Sequence, residues 1–138
     1  MKTTTGKKNL PGDTDMLETL DLPEDIKKLT LQQCNKLCQE IRAKLISTVS
    51  KTGGHLASNL GVVELTVSLH RIFDSPNDKF VWDVGHQCYT HKILTGRSKE
   101  FINLRKKNGL SGFLSYSESD HDIWESGHSS TTLSAASG

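Results

Sequence analysis

Phe80-Val81-Trp82-Asp83-Val84, followed at once by Gly85-His86-Gln87, is the stretch on which the fold class turns. Its aromatic and β-branched residues suit a short buried strand of a parallel sheet. The turn signal Asp74-Ser75-Pro76-Asn77-Asp78 stands just before it, and Gly85 breaks it. Helical patterns lie on both sides. Upstream, Thr30 and Gln33 have the spacing of a capping box. Leu31, Cys34, Leu37, Cys38, Ile41, Leu45 and Val49 then recur at three- and four-residue steps, and Gly53-Gly54 ends the helix. His55 to Gly61 reads as a turn-like connection to a second helix, with Val62, Val63, Leu65, Thr66, Leu69 and Phe73 on one side. Downstream, Tyr89 to Leu94 reads as helix and Lys99 to Lys107 as a short amphipathic helix resting on Phe101, Ile102 and Leu104. Gly109 to Asp122 reads as a polar loop, and Ser126 to Thr131 runs into small residues that open a last helix. Helices around a strand predict α/β layering.

The chain has 138 residues, enough for one domain with a modest core. Met1 to about Pro23 reads as an irregular arm, and Met16, Leu17, Leu20 and Leu22 predict that its acidic half lies along the body. Charge is balanced, with 17 Lys+Arg against 16 Asp+Glu, so no nucleic-acid partner is expected. No apolar run reaches the length of a secretory signal or a membrane helix, so a cytoplasmic protein with no membrane partner is expected. The three cysteines do not make a disulfide framework. Cys34 and Cys38, four apart on the helical stripe, read as buried apolar residues, since no second pair follows at zinc-like spacing.

Two segments set a Gly-His pair at a secondary-structure junction. Gly85-His86 follows the expected strand, where ligands of open α/β sheets sit. Gly127-His128-Ser129-Ser130-Thr131 opens a helix, and its hydroxyls serve either as an ordinary N-cap or as part of an anion site. His55, after two glycines, is expected on an accessible loop. Asp120-His121-Asp122 reads as exposed polar loop, His70 as a surface residue beside Arg71, and Lys106-Lys107 as a solvated helix end. Glu64 is either a solvated helix residue or a functional one.

Together these pieces resemble one family. Gly54-His55-Leu56-Ala57-Ser58-Asn59-Leu60-Gly61-Val62-Val63-Glu64-Leu65-Thr66 is similar to the first signature block of the 1-deoxy-D-xylulose-5-phosphate synthases. Trp82 to Arg97 is similar to a second block, and Glu118 to Asp122 with Gly127 to Thr131 to a third. The resemblance covers about 29–138, which it implies is part of a thiamine-diphosphate-binding domain; it leaves 1–28, the amino-terminal arm, outside. It implies a three-layer α/β/α fold with a parallel sheet. The implied activity joins pyruvate to glyceraldehyde 3-phosphate with loss of carbon dioxide, using thiamine diphosphate and Mg2+ in a homodimer. His55 matches a proton-transferring histidine, while His86, Gly127, His128 and Ser129 match contacts to the cofactor. Ser58 falls in the His55 block, toward the substrate pocket. Cys88 stands where the family commonly has alanine or serine, and Thr90 where it usually has proline. On the family pattern the metal ligands and the glutamate that activates the cofactor fall beyond Gly138, so no metal ligand is expected in this segment. The alternative is a truncated, non-catalytic binding module.

Overall fold

A computed structural model describes residues 15–138, so the first half of the arm lies outside the described residues. Its second half packs as expected. Asp15 caps a single helical turn, α1 (Met16–Thr19), and both Met16 and Leu17 donate their backbone N–H to the Glu40 carboxylate at 2.7 and 3.2 Å. Met16 and Leu17 are buried, and so is Ile26 of a 3-10 turn, Glu24–Lys28.

Helix α2 (Leu31–Thr52) is the longest element. Its capping box is complete: Gln33 N–H donates to Thr30 Oγ1 at 3.2 Å and Thr30 N–H donates to Gln33 Oε1 at 2.8 Å. Cys34, Leu37, Cys38, Ile41, Leu45 and Val49 form the buried stripe, whereas Leu31, in the first turn, is exposed. Gly53 closes the helix at φ 75°, a backbone that favours glycine. All three cysteines are free and buried. Burial pushes the thiols of Cys38 and Cys88 up to about 11 and about 12, so they pack as small apolar groups.

The expected connection from His55 to Gly61 contains a helix of its own, α3 (Leu56–Leu60). Helix α4 (Val63–Ile72) follows, burying Val63, Thr66, Val67 and His70 while Leu65 and Phe73 stay exposed. Arg42 of α2 forms an ion pair with Glu64 and donates to Leu60 O at 3.0 Å. The pair links α2 to α4 at the surface.

The expected parallel sheet is not there. Among the described residues there is no strand, and Phe80 to Val84 runs as a lone irregular segment. Its burial still alternates, with Phe80 and Trp82 inside and Asp83 exposed. Aromatic and β-branched residues fit any half-buried extended surface, but a strand exists only when another chain segment completes its hydrogen bonds. Here the local backbone bond is Gly85 N–H to Asp83 O at 2.7 Å, a turn. Val84 takes φ 61° and Gly85 φ 89°. A β-branched residue in that region is strained, which ends any extended run. The architecture is therefore helical layers packed on α2, and the α/β/α expectation is overturned.

Beyond the turn come α5 (Tyr89–Lys92), a π-helical turn (Ile93–Arg97) and a 3-10 turn (Glu100–Asn103). The last replaces most of the amphipathic helix expected over Lys99 to Lys107; Phe101 and Leu104 are buried and Ile102 is exposed. Residues 109–125 form the expected loop, and α6 (Thr132–Ser137) ends the described chain.

Two polar readings are corrected. His70 is 1% exposed, and its Nε2 lies 2.9 Å from His91 Nδ1. His91 Nε2 faces His121 O at 3.2 Å and Asp122 Oδ1 at 3.5 Å, so that nitrogen carries the proton. His70 Nε2 is then the donor of the pair. Asp122, expected on an exposed loop, is 2% exposed and clasped by Arg97. Burial, reinforced by His91, His121 and Lys27, pushes His70 down to about 3 from 6.5. The unfolded chain binds a proton that folded His70 refuses, so stability should fall as pH drops from about 6.5 toward 3. Denaturant midpoints taken across that range should slope less in His70→Gln, which keeps a donor for His91 without a titrating ring.

Candidate functional site

Three segments distant in sequence bring the expected site residues together. His55 is the residue before α3, and His86 lies in the turn after Val84. Their imidazole rings meet edge to face at 5.0 Å, with an interplanar angle of 65°. Phe113, from the 109–125 loop, forms a further wall, its ring centre 6.4 Å from that of His55. Gly85 is close to the third segment: a Cβ there would lie 3.5 Å from Ser126 O.

Asp83 ties that third segment down. Its carboxylate accepts Ser130 N–H at 3.2 Å and Thr132 Oγ1 at 2.9 Å. These bonds hold the exposed Asp83 carboxyl below its usual range, the Ser130 amide contributing most. Ser126 Oγ accepts His128 N–H at 3.2 Å and donates to His128 O at 3.0 Å, so the 126–131 loop also closes on itself. Gly127, His128 and Ser129 are exposed on this loop, and a Cβ on Gly127 would meet nothing within 4 Å. Neither His128 nor Ser129 hydrogen-bonds through its side chain to His55 or His86. The structure thus pairs His55 with His86 directly and brings the Gly127 loop alongside through Gly85 and Asp83.

The main chain beneath the two histidines is held by residues the sequence reading missed. Asn59, buried in α3, donates from Nδ2 to His55 O at 2.6 Å and to His86 O at 2.8 Å. Its Oδ1 accepts Tyr89 N–H at 2.9 Å. The Tyr89 hydroxyl accepts His55 N–H at 3.3 Å. That hydroxyl also explains Gly54: at φ 135°, a Cβ there would sit 2.6 Å from Tyr89 Oη. The available signal for Asn59 was an amide among apolar residues within the first signature block. Cys88 and Thr90 are fully buried at the start of α5.

Two buried polar atoms at this corner have no partner, His86 Nδ1 and Gln87 Oε1. Buried polar groups normally find one, so an acceptor or donor on a ligand fits here. Among the described residues no group of three or more His, Cys, Asp or Glu could hold a metal ion. A hollow of about 520 Å³ is lined by Lys79, Tyr116, Ser119, Asp120, Asp122 and Ile123. It includes neither histidine.

A family model described as 1-deoxy-D-xylulose-5-phosphate synthase matches residues 17–138, nearly all of the chain and every residue of this corner. The chain belongs to that family. The 1-deoxy-D-xylulose-5-phosphate synthase of Brevibacillus brevis is 61% identical to it over 123 residues, 89% of this chain. That of Halothermothrix orenii is 59% identical over 124 residues, 90% of the chain, and 1-deoxy-D-xylulose-5-phosphate synthase 1 of Geobacter sulfurreducens is 59% identical over 123 residues, 89% of the chain. The chain spans about a fifth of the length of these synthases. Among the described residues no helix is long and apolar enough to cross a membrane.

Proposed function

We propose that this chain supplies the amino-terminal part of a 1-deoxy-D-xylulose-5-phosphate synthase active site. The enzyme is a transferase that condenses pyruvate with glyceraldehyde 3-phosphate, releasing carbon dioxide, for isoprenoid, thiamine and pyridoxal precursors. Residues 29–138 belong to the cofactor domain, and 1–28 form an arm in front of it. The proposal places the enzyme in the cytoplasm as a homodimer. The observation that carries the reading is the family match over 17–138, which includes all five proposed site residues.

Thiamine diphosphate, when bound, supplies the carbanion chemistry that side chains lack. His86, Gly127, His128 and Ser129 hold it, and His86 is suited to this by its unpartnered Nδ1. His55 stands against His86 and moves a proton to and from a substrate oxygen. Ser58, one turn into α3 from His55, is assigned to the substrate pocket on the family resemblance alone. Mg2+ is held by residues outside 15–138.

The test is a chimera. The Brevibacillus brevis synthase, with its matching segment replaced by residues 17–138 of this chain, should form 1-deoxy-D-xylulose 5-phosphate from pyruvate and glyceraldehyde 3-phosphate, and only when thiamine diphosphate is present. The 138-residue chain alone should show no turnover and little heat with thiamine diphosphate and Mg2+ in a calorimeter, since a partial site still bears the costs of association. A folded but inactive chimera would favour a binding module. Tight metal-dependent cofactor binding by the chain alone would show that the metal ligands are misplaced in this reading.

A further inference from the structure

Asn59 is 0% exposed and stands where three chain segments meet: the start of α3, the turn at His86 and the start of α5. Both hydrogens of its carboxamide are used, one on His55 O and one on His86 O. Its oxygen takes the N–H of Tyr89. The pattern fixes the amide's orientation, because a half-turn would aim the oxygen at two carbonyls and the NH2 at an N–H. Few side chains can do this. Aspartate has the same shape but, when ionised, offers no donor. Glutamine carries the amide on one more methylene, in a packed place. Leucine removes the side-chain partner of both carbonyls and leaves the buried Tyr89 N–H without its acceptor.

We propose that Asn59 is a positioning residue of the candidate site, fixing His55 against His86 by holding both main-chain carbonyls on one carboxamide. Tyr89 adds a second hold on His55 through its N–H, so the residue is fixed at both its backbone polar groups. The imidazole itself takes no part in either bond and stays available to a ligand. What the histidine pair does rests on the proposed function; that Asn59 positions it does not. Site groups must be held within about 0.5 Å of their productive placement, and a misplacement of about 1 Å can cost about 100-fold in rate.

The experiment has two arms. In the first, NMR on the 138-residue chain follows the ring-to-ring contact of His55 and His86, which their 5.0 Å separation makes observable. Asn59→Asp should abolish it while the amide signals of α2 stay in place; the exposed control Asn35→Asp should leave it intact. In the second arm the same substitutions are made in the chimeric synthase. Asn59→Asp should lower kcat at saturating cofactor by about 10- to 100-fold, with a smaller change in KM for pyruvate. A general loss of folded enzyme would lower the apparent kcat but leave the ring contact of the remaining folded molecules unchanged. If Asn59→Asp does not fold, Asn59→Ser is read in the same way, since it keeps one donor and adds no charge. Retention of the ring contact in the substituted chain overturns the proposal. Loss of the contact with full turnover supports the positioning and instead overturns the catalytic role given to the histidines.

Discussion

His55→Ala in the chimeric synthase is expected to lower kcat by about 10²–10⁴, the range typical of a general acid–base group, while the affinity for thiamine diphosphate changes little. The reason is positional. His55 stands edge to face with His86 rather than on the 126–131 loop, and its backbone is fixed by Asn59 and Tyr89. A side chain held this way can make its decisive hydrogen bond as charge moves in the reaction, an interaction that appears in kcat rather than in binding. His128→Ala and Ser129→Ala should do the reverse. Both lie on the loop anchored by Asp83, and their loss should weaken cofactor binding first, with kcat largely restored when cofactor is raised. Steady-state kinetics over a cofactor titration separates the two behaviours. If His55→Ala regains full turnover at high thiamine diphosphate, His55 is a binding residue and the assignment of roles is wrong.

What could be read from the sequence follows the range of the interactions. The capping box of Thr30 and Gln33, the stripe from Cys34 to Val49 and the stop at Gly53 are set by neighbours within one or two turns, and all three are present. Phe80 to Val84 failed for the opposite reason. Its composition reports a half-buried surface, whereas a strand depends on a partner that composition cannot supply. His70 and Asp122 were read as exposed because their partners, His91 and Arg97, are 21 and 25 residues away. The ring contact of His55 with His86 likewise joins residues far apart in the chain, and no local pattern marks it. No local pattern marks Asn59, because three backbone groups from separate segments decide its role.

The largest stability effect is expected at Arg97. Its guanidinium forms two parallel 2.7 Å bonds to the Asp122 carboxylate and reaches Glu118 Oε2 at 3.0 Å. Lys92, fully buried, completes the network by donating to Glu118 Oε2 at 2.6 Å and to Ser111 O at 2.8 Å. The carboxylates in turn accept Ser111 N–H at 2.6 Å and Ser115 N–H at 2.9 Å, which bracket Phe113 and so fix the wall beside His55. Taking Arg97 away leaves a buried carboxylate unpaired, a change that costs about 3–5 kcal/mol. Against a total stability of about 5–15 kcal/mol, Arg97→Met should lower the denaturation midpoint sharply. Arg97→Met with Asp122→Leu should recover much of the loss, because replacing both charges by apolar groups is often neutral. The pH dependence gives a second reading. Burial alone would raise the Asp122 carboxyl, but hydrogen bonds from His91 and Arg97, with the Ser115 amide, hold it below its ordinary 3.8. Its contribution is therefore full above that pH and lost as acid protonates the folded form. The difference in stability between wild type and Arg97→Met, in which the shared His70 titration cancels, should shrink as pH falls below 3.8. A difference that stays constant through that range would mean that the pair is not what holds the loop.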